Sequence, residues 1–269
     1  MIRVAVIQMV STADVETNLQ TAADLIQQAV TDHGEFLVLP ENFPLMGHEE
    51  HDKVAILEPQ GEGPIQDFLK IQANQHSIWL MGGSIPLQAS VPDKIRAACL
   101  LYNPTGECIA RYDKMHLFDV SVDSGGDETY NESGTIEAGD QIVVAKTPFA
   151  NIGMSICYDL RFPELYRKMH TQDVNMITVP SAFTATTGKA HWESLLRARA
   201  VENLCYIVAS NQGGTHINER ETWGHSMIMD PWGEVLAVVN EGPGFACAGV
   251  DMDQLQNLRK TFPTLEHRK

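Results

Sequence analysis

The chain has 269 residues, 43% hydrophobic and 20% charged, values typical of globular proteins and not of disordered or fibrous ones. Its 19 Lys and Arg against 35 Asp and Glu leave a formal charge of −16, which argues against a nucleic-acid partner because such binding neutralises phosphates with cations. No apolar run is long enough to cross a membrane and no signal-peptide pattern opens the chain, so no membrane association is expected.

The five cysteines are odd in number and form no C-x-x-C pair, which favours a reducing cytoplasm. Four of them lie in apolar, strand-like stretches, where a cysteine is usually a small buried side chain. These four are Cys99, Cys108, Cys205 and Cys247.

The first elements form a predicted β-α-β unit. A strand over residues 3–9 leads into a helix over 16–32, where apolar residues recur at helical spacing and Gly34 supplies a stop signal. A buried strand over 36–39 follows and ends at Pro40, so Glu41 lies at its carboxyl end.

The remaining elements continue the alternation of strands and helices. In chain order we first predict a helix over 63–76, strands over 78–85, 95–102 and 108–113, and a long polar loop over 116–140. Strands over 142–146 and 151–156, a helix over 163–171, a strand over 176–179 and a helix over 189–203 follow. The last predicted elements are a strand over 206–210, three strands between 224 and 250, and a helix over 253–260. This pattern favours a layered α/β fold with two sheets packed face to face and helices outside. No shift in composition marks a linker, so residues 1–269 are expected to form one domain.

An apolar strand runs directly into Cys157, and a helix begins again at Pro163. This arrangement is typical of a nucleophile elbow, although the pattern G-x-S-x-G is absent and Ser155 is expected to be buried on the strand. A cysteine in such a chain is more often a packed side chain, but its position in a turn among polar neighbours favours a catalytic role. A catalytic thiol needs a base, because the thiolate is the attacking species.

Glu41 follows a buried strand, and Lys114 ends another strand. A charged residue in such a place is usually solvated, and the two are far from Cys157 in the sequence. They form a site with Cys157 only if the fold brings the three strand ends together.

Three segments together resemble the nitrilase superfamily of carbon–nitrogen hydrolases. They are Leu39-Pro40-Glu41, Tyr112-Asp113-Lys114-Met115-His116-Leu117 and Ser155-Ile156-Cys157-Tyr158-Asp159-Leu160-Arg161-Phe162-Pro163-Glu164. The resemblance implies a four-layer αββα sandwich in which Glu41, Lys114 and Cys157 meet at one end of the two sheets. It also implies that Glu132 lies near the lysine, and no metal or organic cofactor is expected.

The chemistry expected from this triad is covalent amide hydrolysis. Glu41 would accept the proton of Cys157, the thiolate would attack the amide carbonyl, and Lys114 with the backbone N–H of Tyr158 would hold the oxyanion. Water would then hydrolyse the thioester, and Glu132 would orient Lys114. The alternatives are a nitrilase acting on a nitrile and a non-catalytic scaffold, which would have no need for all three residues.

Other segments resemble the deaminated glutathione amidase branch, whose substrate yields 2-oxoglutarate and cysteinylglycine. They include His116-Leu117-Phe118-Asp119-Val120, Gly188-Lys189-Ala190-His191-Trp192-Glu193 and Trp223-Gly224-His225-Ser226-Met227. An omega-amidase acting on 2-oxoglutaramate shares several of them. The loop over 46–51 and the insert over 123–129 look idiosyncratic and could line the entrance to the pocket.

A substrate that carries carboxylates needs a local cationic pocket on so acidic a chain. Four candidates for its contacts are Arg161, Lys189, Arg199 and Arg220. Glu193 and Arg197, spaced i, i+4 on a predicted helix, are expected to form a surface pair. The resemblance also suggests a homodimer, or a higher homo-oligomer, through the helix after Cys157 and the helix around 191–203.

Overall fold

The computed structural model describes residues 1–123 and 127–267. Its strands are β1 (Ile2–Gln8), β2 (Phe36–Val38), β3 (Trp79–Met81), β4 (Ile85–Gln88), β5 (Ile95–Tyr102), β6 (Cys108–Asp113), β7 (Asp119–Asp123), β8 (Asp127–Asn131), β9 (Val144–Lys146), β10 (Asn151–Met154), β11 (Met176–Thr178), β12 (Tyr206–Ala209), β13 (Gly213–Thr215), β14 (Glu221–Trp223), β15 (Ser226–Met229), β16 (Val235–Val239) and β17 (Gly244–Val250). Its α-helices are α1 (Val15–Thr31), α2 (Pro64–His76), α3 (Pro163–His170), α4 (Ala185–Asn203) and α5 (Met252–Thr261).

Two sheets form the centre of the molecule. The first has the order β17-β1-β2-β3-β5-β4, with β6 paired to β5, and the second has the order β16-β15-β12-β11-β10-β9. β1, β2 and β3 run parallel to one another, as do β10, β11 and β12. The carboxyl ends of parallel strands meet at one edge of a sheet, and residues that follow β2 and β10 are therefore brought to sheet edges.

Side chains that alternate along the strands build two cores. On β1, Val4 and Val6 belong to the core shared with the second sheet, which includes Ile152. Ala5 and Ile7 face the other way, into a core shared with α1 and α2. α3 and α4 cover the far side of the second sheet through apolar side chains such as Trp192. The result is the predicted α/β fold with four αββα layers.

The predicted strand over 78–85 divides into β3 and β4 at Gly82 and Gly83. Gly83 has φ +60°, and a Cβ atom there would lie 2.1 Å from the carbonyl oxygen of Pro40. Only glycine tolerates both the left-handed backbone and this close approach. The break therefore lets the chain pass directly beside the segment that carries Glu41.

Two hairpins were not predicted. β7 and β8 pair antiparallel within the stretch predicted as a loop over 116–140, and β13 and β14 pair between 213 and 223. The first shows no apolar alternation, with Ser121 and Thr129 exposed, and the second begins with two glycines, which disfavour strands. Of the insert over 123–129, residues 124–126 lie outside the described residues.

All five cysteines are free thiols, and Cys108 is exposed. The prediction that Cys108 is buried was wrong, because the amino end of β6, including the neighbouring Ile109, faces outward. No helix in the described ranges combines the length and apolar character that a membrane span requires.

Candidate active site

Three charged side chains, each following a strand, form a cluster with a buried lysine at its centre. Glu41 follows β2, Lys114 follows β6, and Glu132 follows β8. The Lys114 Nζ donates to Glu41 Oε1 at 2.8 Å and to the two Glu132 oxygens at 2.8 and 2.7 Å. The Lys114 side chain is fully buried, and this cluster has two carboxylates for one ammonium group.

Cys157 begins a short 3-10 helix (Cys157–Arg161) directly after β10 and before α3. Its φ is +47°, a left-handed conformation that costs a residue with a side chain about 1–3 kcal/mol. Its N–H donates to the Pro180 carbonyl at 2.9 Å. The predicted strand–turn–helix geometry is therefore present, and such strain is commonly stored at functional sites.

Ser155 is fully buried, as expected. Its hydroxyl donates to the Thr178 carbonyl at 2.9 Å and lies 3.0 Å from the Tyr166 hydroxyl. The serine is therefore engaged within the core, which leaves Cys157 as the candidate nucleophile of this segment.

The environment of Cys157 favours the neutral thiol. Burial raises the pKa of this thiol well above its usual range, and the negative charge of Glu41 raises it further. The ammonium of Lys114 and the backbone N–H of Ala182, which bonds to the sulfur, lower this pKa but are outweighed. Attack by this sulfur consequently requires a base that removes its proton.

The cluster around Lys114 is charged at neutral pH. Burial alone would lower the pKa of Lys114, but the carboxylates of Glu132 and Glu41 outweigh burial and raise it well above its usual range. Burial alone would raise the pKa of Glu132, but Lys114 and Lys53 outweigh it and lower that pKa. The cluster therefore contains an ammonium group whose position is set by ion pairs.

A narrow cavity lies beside this cluster and Cys157. Glu41, Glu132 and Cys157 line it, and the rest of the wall is formed mostly by aromatic, hydroxyl and guanidinium groups. That remaining wall consists of Phe118, Tyr158, Arg161, Ala182, Phe183, Thr184, Thr187 and Arg220.

The model of the carbon-nitrogen hydrolase family matches residues 3–260. The chain belongs to this family. It is 42% identical to a deaminated glutathione amidase of Synechocystis sp., over 98% of this chain and 97% of that protein. It is 37% identical to a deaminated glutathione amidase of Yersinia enterocolitica, over 99% of this chain and 92% of that protein. The chain is thus an amidase that acts on carbon–nitrogen bonds.

Solved structures of the nitrilase superfamily have the same fold. The C. elegans NitFhit protein superposes with a TM-score of 0.88 at 36% identity, over 99% of this chain. This chain spans only 65% of the NitFhit chain. Nit3 of Saccharomyces cerevisiae, a member of branch 10 of the superfamily, superposes with a TM-score of 0.87 at 30% identity, over 97% of this chain and 94% of that one. The predicted family and fold class are confirmed.

Two of the four predicted cationic contacts of the hydrolase line the cavity. Arg161 lies with its Cζ 5.2 Å from the centre of the Phe183 ring, and Arg220 lies with its Cζ 5.0 Å from the centre of the Tyr130 ring. Arg220 also donates to the Ala182 carbonyl at 2.7 Å. Among the side chains that the structure describes, in residues 1–121 and 129–267, neither arginine has an ion-pair partner.

The structure does not bring Lys189 or Arg199 to the cavity. Lys189 is exposed on α4. Arg199 is buried, and its guanidinium donates to the Leu160 carbonyl at 3.1 and 2.8 Å and to Glu202 at 3.0 Å. Arg199 holds the Cys157–Arg161 turn against α4, and its donors face away from the cavity. Glu193 and Arg197 form the expected surface pair, at 2.6 Å.

Two further polar residues of the hydrolase support the site and were not predicted. The Gln212 Nε2 donates to the backbone carbonyl of Glu41 at 3.0 Å and to the Ser11 hydroxyl at 2.8 Å. The buried Asp159 accepts from residues beside both Lys114 and Cys157. Asp159 stands in the cysteine segment and offered a signal there, whereas nothing in the sequence singles out Gln212. No group of three or more His, Cys, Asp or Glu side chains is arranged to hold a metal in the described part of the chain.

Proposed function

We propose that this hydrolase is a deaminated glutathione amidase that works through a thioester on Cys157 and releases 2-oxoglutarate and cysteinylglycine. The observation that carries the proposal is the buried Lys114 ammonium, which is fixed between Glu41 and Glu132, while these two carboxylates and Cys157 line one cavity. The names of the relatives support the choice of substrate.

In the first half of the reaction Glu41 removes the Cys157 proton as the sulfur attacks the amide carbonyl carbon. The raised pKa of the thiol makes this proton transfer part of the attack. The Lys114 ammonium and the Tyr158 backbone N–H stabilise the oxyanion, and in typical sites one such donor is worth about 3–4 kcal/mol. Glu41 then gives its proton to the amine of cysteinylglycine as the carbon–nitrogen bond breaks.

In the second half Glu41 activates a water molecule, which attacks the thioester carbon. The sulfur leaves and recovers its proton, and 2-oxoglutarate is released. Glu132 takes no proton in this cycle. Its role is to hold Lys114 in place, because both of its oxygens accept from the ammonium and one also accepts from the Phe118 N–H at 2.8 Å.

Arg161 and Arg220 are the groups that we expect to bind the substrate carboxylates. Both line the cavity and neither has an ion-pair partner among the described residues. The lysine cluster carries a net negative charge because it has two carboxylates and one ammonium group. The arginines therefore supply the positive field that an anionic substrate needs on this acidic chain.

One observation favours the smaller substrate 2-oxoglutaramate as a second candidate. The cavity beside Cys157 is narrow, and the rings of Phe118, Tyr158 and Phe183 form part of its wall. A larger substrate would place only its 2-oxoglutaryl end in the cavity and its cysteinylglycine end toward solvent.

A panel of amides and nitriles tests the proposal. Deaminated glutathione should have the highest kcat/KM, 2-oxoglutaramate a lower one, and a matched nitrile should release no ammonia. A higher kcat/KM for 2-oxoglutaramate would assign the omega-amidase function instead. Cys157→Ala, compared with the exposed Cys108→Ala as control, should abolish turnover of every substrate while its melting temperature stays within a few degrees.

We also propose that the protein is a single-domain homodimer in the cytoplasm. An exposed apolar group of Val201 on α4, Trp232 and Phe262 supports the dimer, with the last two rings 5.4 Å apart. Five free thiols support a reducing compartment. Light scattering of the wild type and of Val201→Asp tests the dimer, and an unchanged dimer in the variant would place the interface elsewhere.

A further inference from the structure

Asp159 is a fully buried carboxylate that lies outside the cavity wall and takes no part in the proposed reaction. Its Oδ2 accepts from the Tyr112 hydroxyl at 2.6 Å and from the Ile156 N–H at 2.9 Å. Its Oδ1 accepts from the His116 N–H at 3.0 Å and from the His116 Nδ1 at 2.7 Å. One carboxylate therefore accepts four hydrogen bonds, which come from two separate segments of the chain.

These donors lie close in sequence to Lys114 and Cys157. Tyr112 is two residues before Lys114, and His116 is two residues after it. Ile156 immediately precedes Cys157. Asp159 thus bonds to the chain on both sides of the lysine and to the residue before the cysteine.

A second contact joins the same two segments. The His116 ring stacks on the Phe162 ring, with centres 3.8 Å apart and planes 8° from parallel. Phe162 follows the Cys157–Arg161 turn. His116 is therefore held between the Asp159 carboxylate and an aromatic ring of the cysteine segment, which fixes its ring in orientation as well as in distance.

We propose that Asp159 is a positioning residue that sets the separation of the Lys114 ammonium from the Cys157 sulfur. It acts through the Tyr112 hydroxyl and the His116 N–H on either side of Lys114 and through the Ile156 N–H before Cys157, and it touches no reacting atom. This inference rests on the roles proposed above for Lys114 and Cys157. A displacement of the order of 1 Å in such a site costs about 100-fold in rate.

The variant Asp159→Asn tests the proposal, since it keeps the size of the side chain but replaces one acceptor oxygen with an NH₂ donor. That donor faces either the Ile156 N–H or the His116 N–H, so one of the two segments must move. The matched control is Glu58→Gln. Glu58 is also buried and accepts from Ile65 N–H at 2.6 Å and from Gln66 N–H at 3.1 Å, but it does not line the cavity.

With deaminated glutathione as substrate, Asp159→Asn should lower kcat by about tenfold or more and change KM by no more than about twofold. Glu58→Gln should lower the melting temperature but leave kcat within about twofold of the wild type. If Asp159→Asn lowers only the melting temperature and keeps the wild-type kcat per folded molecule, Asp159 stabilises the fold alone and the proposal is overturned.

Alkylation by iodoacetamide gives a readout that needs no substrate. Removal of one negative charge by itself would favour the thiolate and speed alkylation of Cys157. Displacement of Lys114 would slow it, because Lys114 favours the thiolate. We expect slower alkylation, measured by mass spectrometry on the Cys157 peptide so that the exposed Cys108 does not contribute; faster alkylation would contradict positioning.

If Asp159→Asn does not fold, Tyr112→Phe takes its place, since it removes one donor and keeps the carboxylate. It should lower kcat by about threefold to tenfold without a matching rise in KM, and a wild-type kcat would overturn the proposal. Failure of the proposed function has a different signature, namely turnover by Cys157→Ala. Normal dependence on Cys157 together with a wild-type kcat in both Asp159→Asn and Tyr112→Phe would overturn only the positioning role.

Discussion

The candidate site has two kinds of cation in opposite surroundings. Lys114 is fully buried and bound by two carboxylates, whereas Arg161 and Arg220 lie against aromatic rings with no carboxylate partner among the described residues. The charge of Lys114 is more than balanced by its two carboxylate neighbours, so Lys114 attracts a distant anion only weakly. Its proposed role depends on its fixed position. The arginines are less constrained electrostatically, so their charge is available to a bound anion.

The largest effect is expected when the fixed cation is removed. Lys114→Met keeps most of the volume and loses the ammonium, and it should lower kcat by about 100-fold or more while KM changes far less. Steady-state kinetics with deaminated glutathione measure both constants, with the exposed Lys189→Met as the control. An unchanged kcat would remove Lys114 from oxyanion stabilisation.

The next effect concerns the partner that holds Lys114. Glu132→Gln keeps an acceptor for the ammonium but loses a charge, and kcat should fall by about tenfold.

The lowered pKa of Glu132 also gives a pH dependence. Its contribution to stability is present above the unfolded pKa of about 4.3 and is lost as pH falls through its lower folded pKa. Melting temperatures from pH 7 down to pH 3 should show the wild type losing its advantage over Glu132→Gln as the pH falls. A difference that is constant across this range would contradict the ion pair as its source.

The unpaired cations should affect binding more than rate. Arg161→Met and Arg220→Met should each raise KM for deaminated glutathione by about tenfold, because each removes a charge available to a substrate carboxylate. A neutral amide of similar length is the control, and its KM should stay within about twofold. An equal rise in KM for the neutral amide would show that the arginines shape the cavity and do not recognise charge.

The smallest effect is expected at an exposed charge pair that does not line the cavity. Glu193 and Arg197 pair on the exposed face of α4 at 2.6 Å. Glu193→Gln should change the free energy of unfolding by no more than about 0.5 kcal/mol, because solvent screens exposed pairs. Urea denaturation measures this change, and kcat should match the wild type.

Much of the fold was predictable because apolar periodicity is local. The helices near α1, α2, α3 and α5 and the strands β5 and β6 were predicted within one or two residues of their observed bounds. β7 to β8 and β13 to β14 were not predicted, since polar or glycine-rich hairpins lack that periodicity. These hairpins carry Tyr130 and Arg220, which lie against each other, and Arg220 lines the cavity. The least predictable elements therefore supply one of its two arginines.

The site was predictable in part for the same reason. Glu41, Lys114 and Cys157 each end a recognisable strand, and family resemblance supplied the pairing that spacing could not. The choice among Arg161, Lys189, Arg199 and Arg220 depended on helix orientation and on long-range partners such as the Leu160 carbonyl. Gln212 acts through a hydrogen bond to Glu41, 171 residues away in sequence, which no local pattern encodes.

The most direct test of the central claim is to trap the covalent intermediate. Wild-type protein mixed with deaminated glutathione is quenched in acid on the millisecond scale, digested and analysed by mass spectrometry. The account predicts a 2-oxoglutaryl thioester on the peptide that carries Cys157, and none in Cys157→Ala. An acyl adduct on a different residue, or turnover by Cys157→Ala at the wild-type rate, would contradict it.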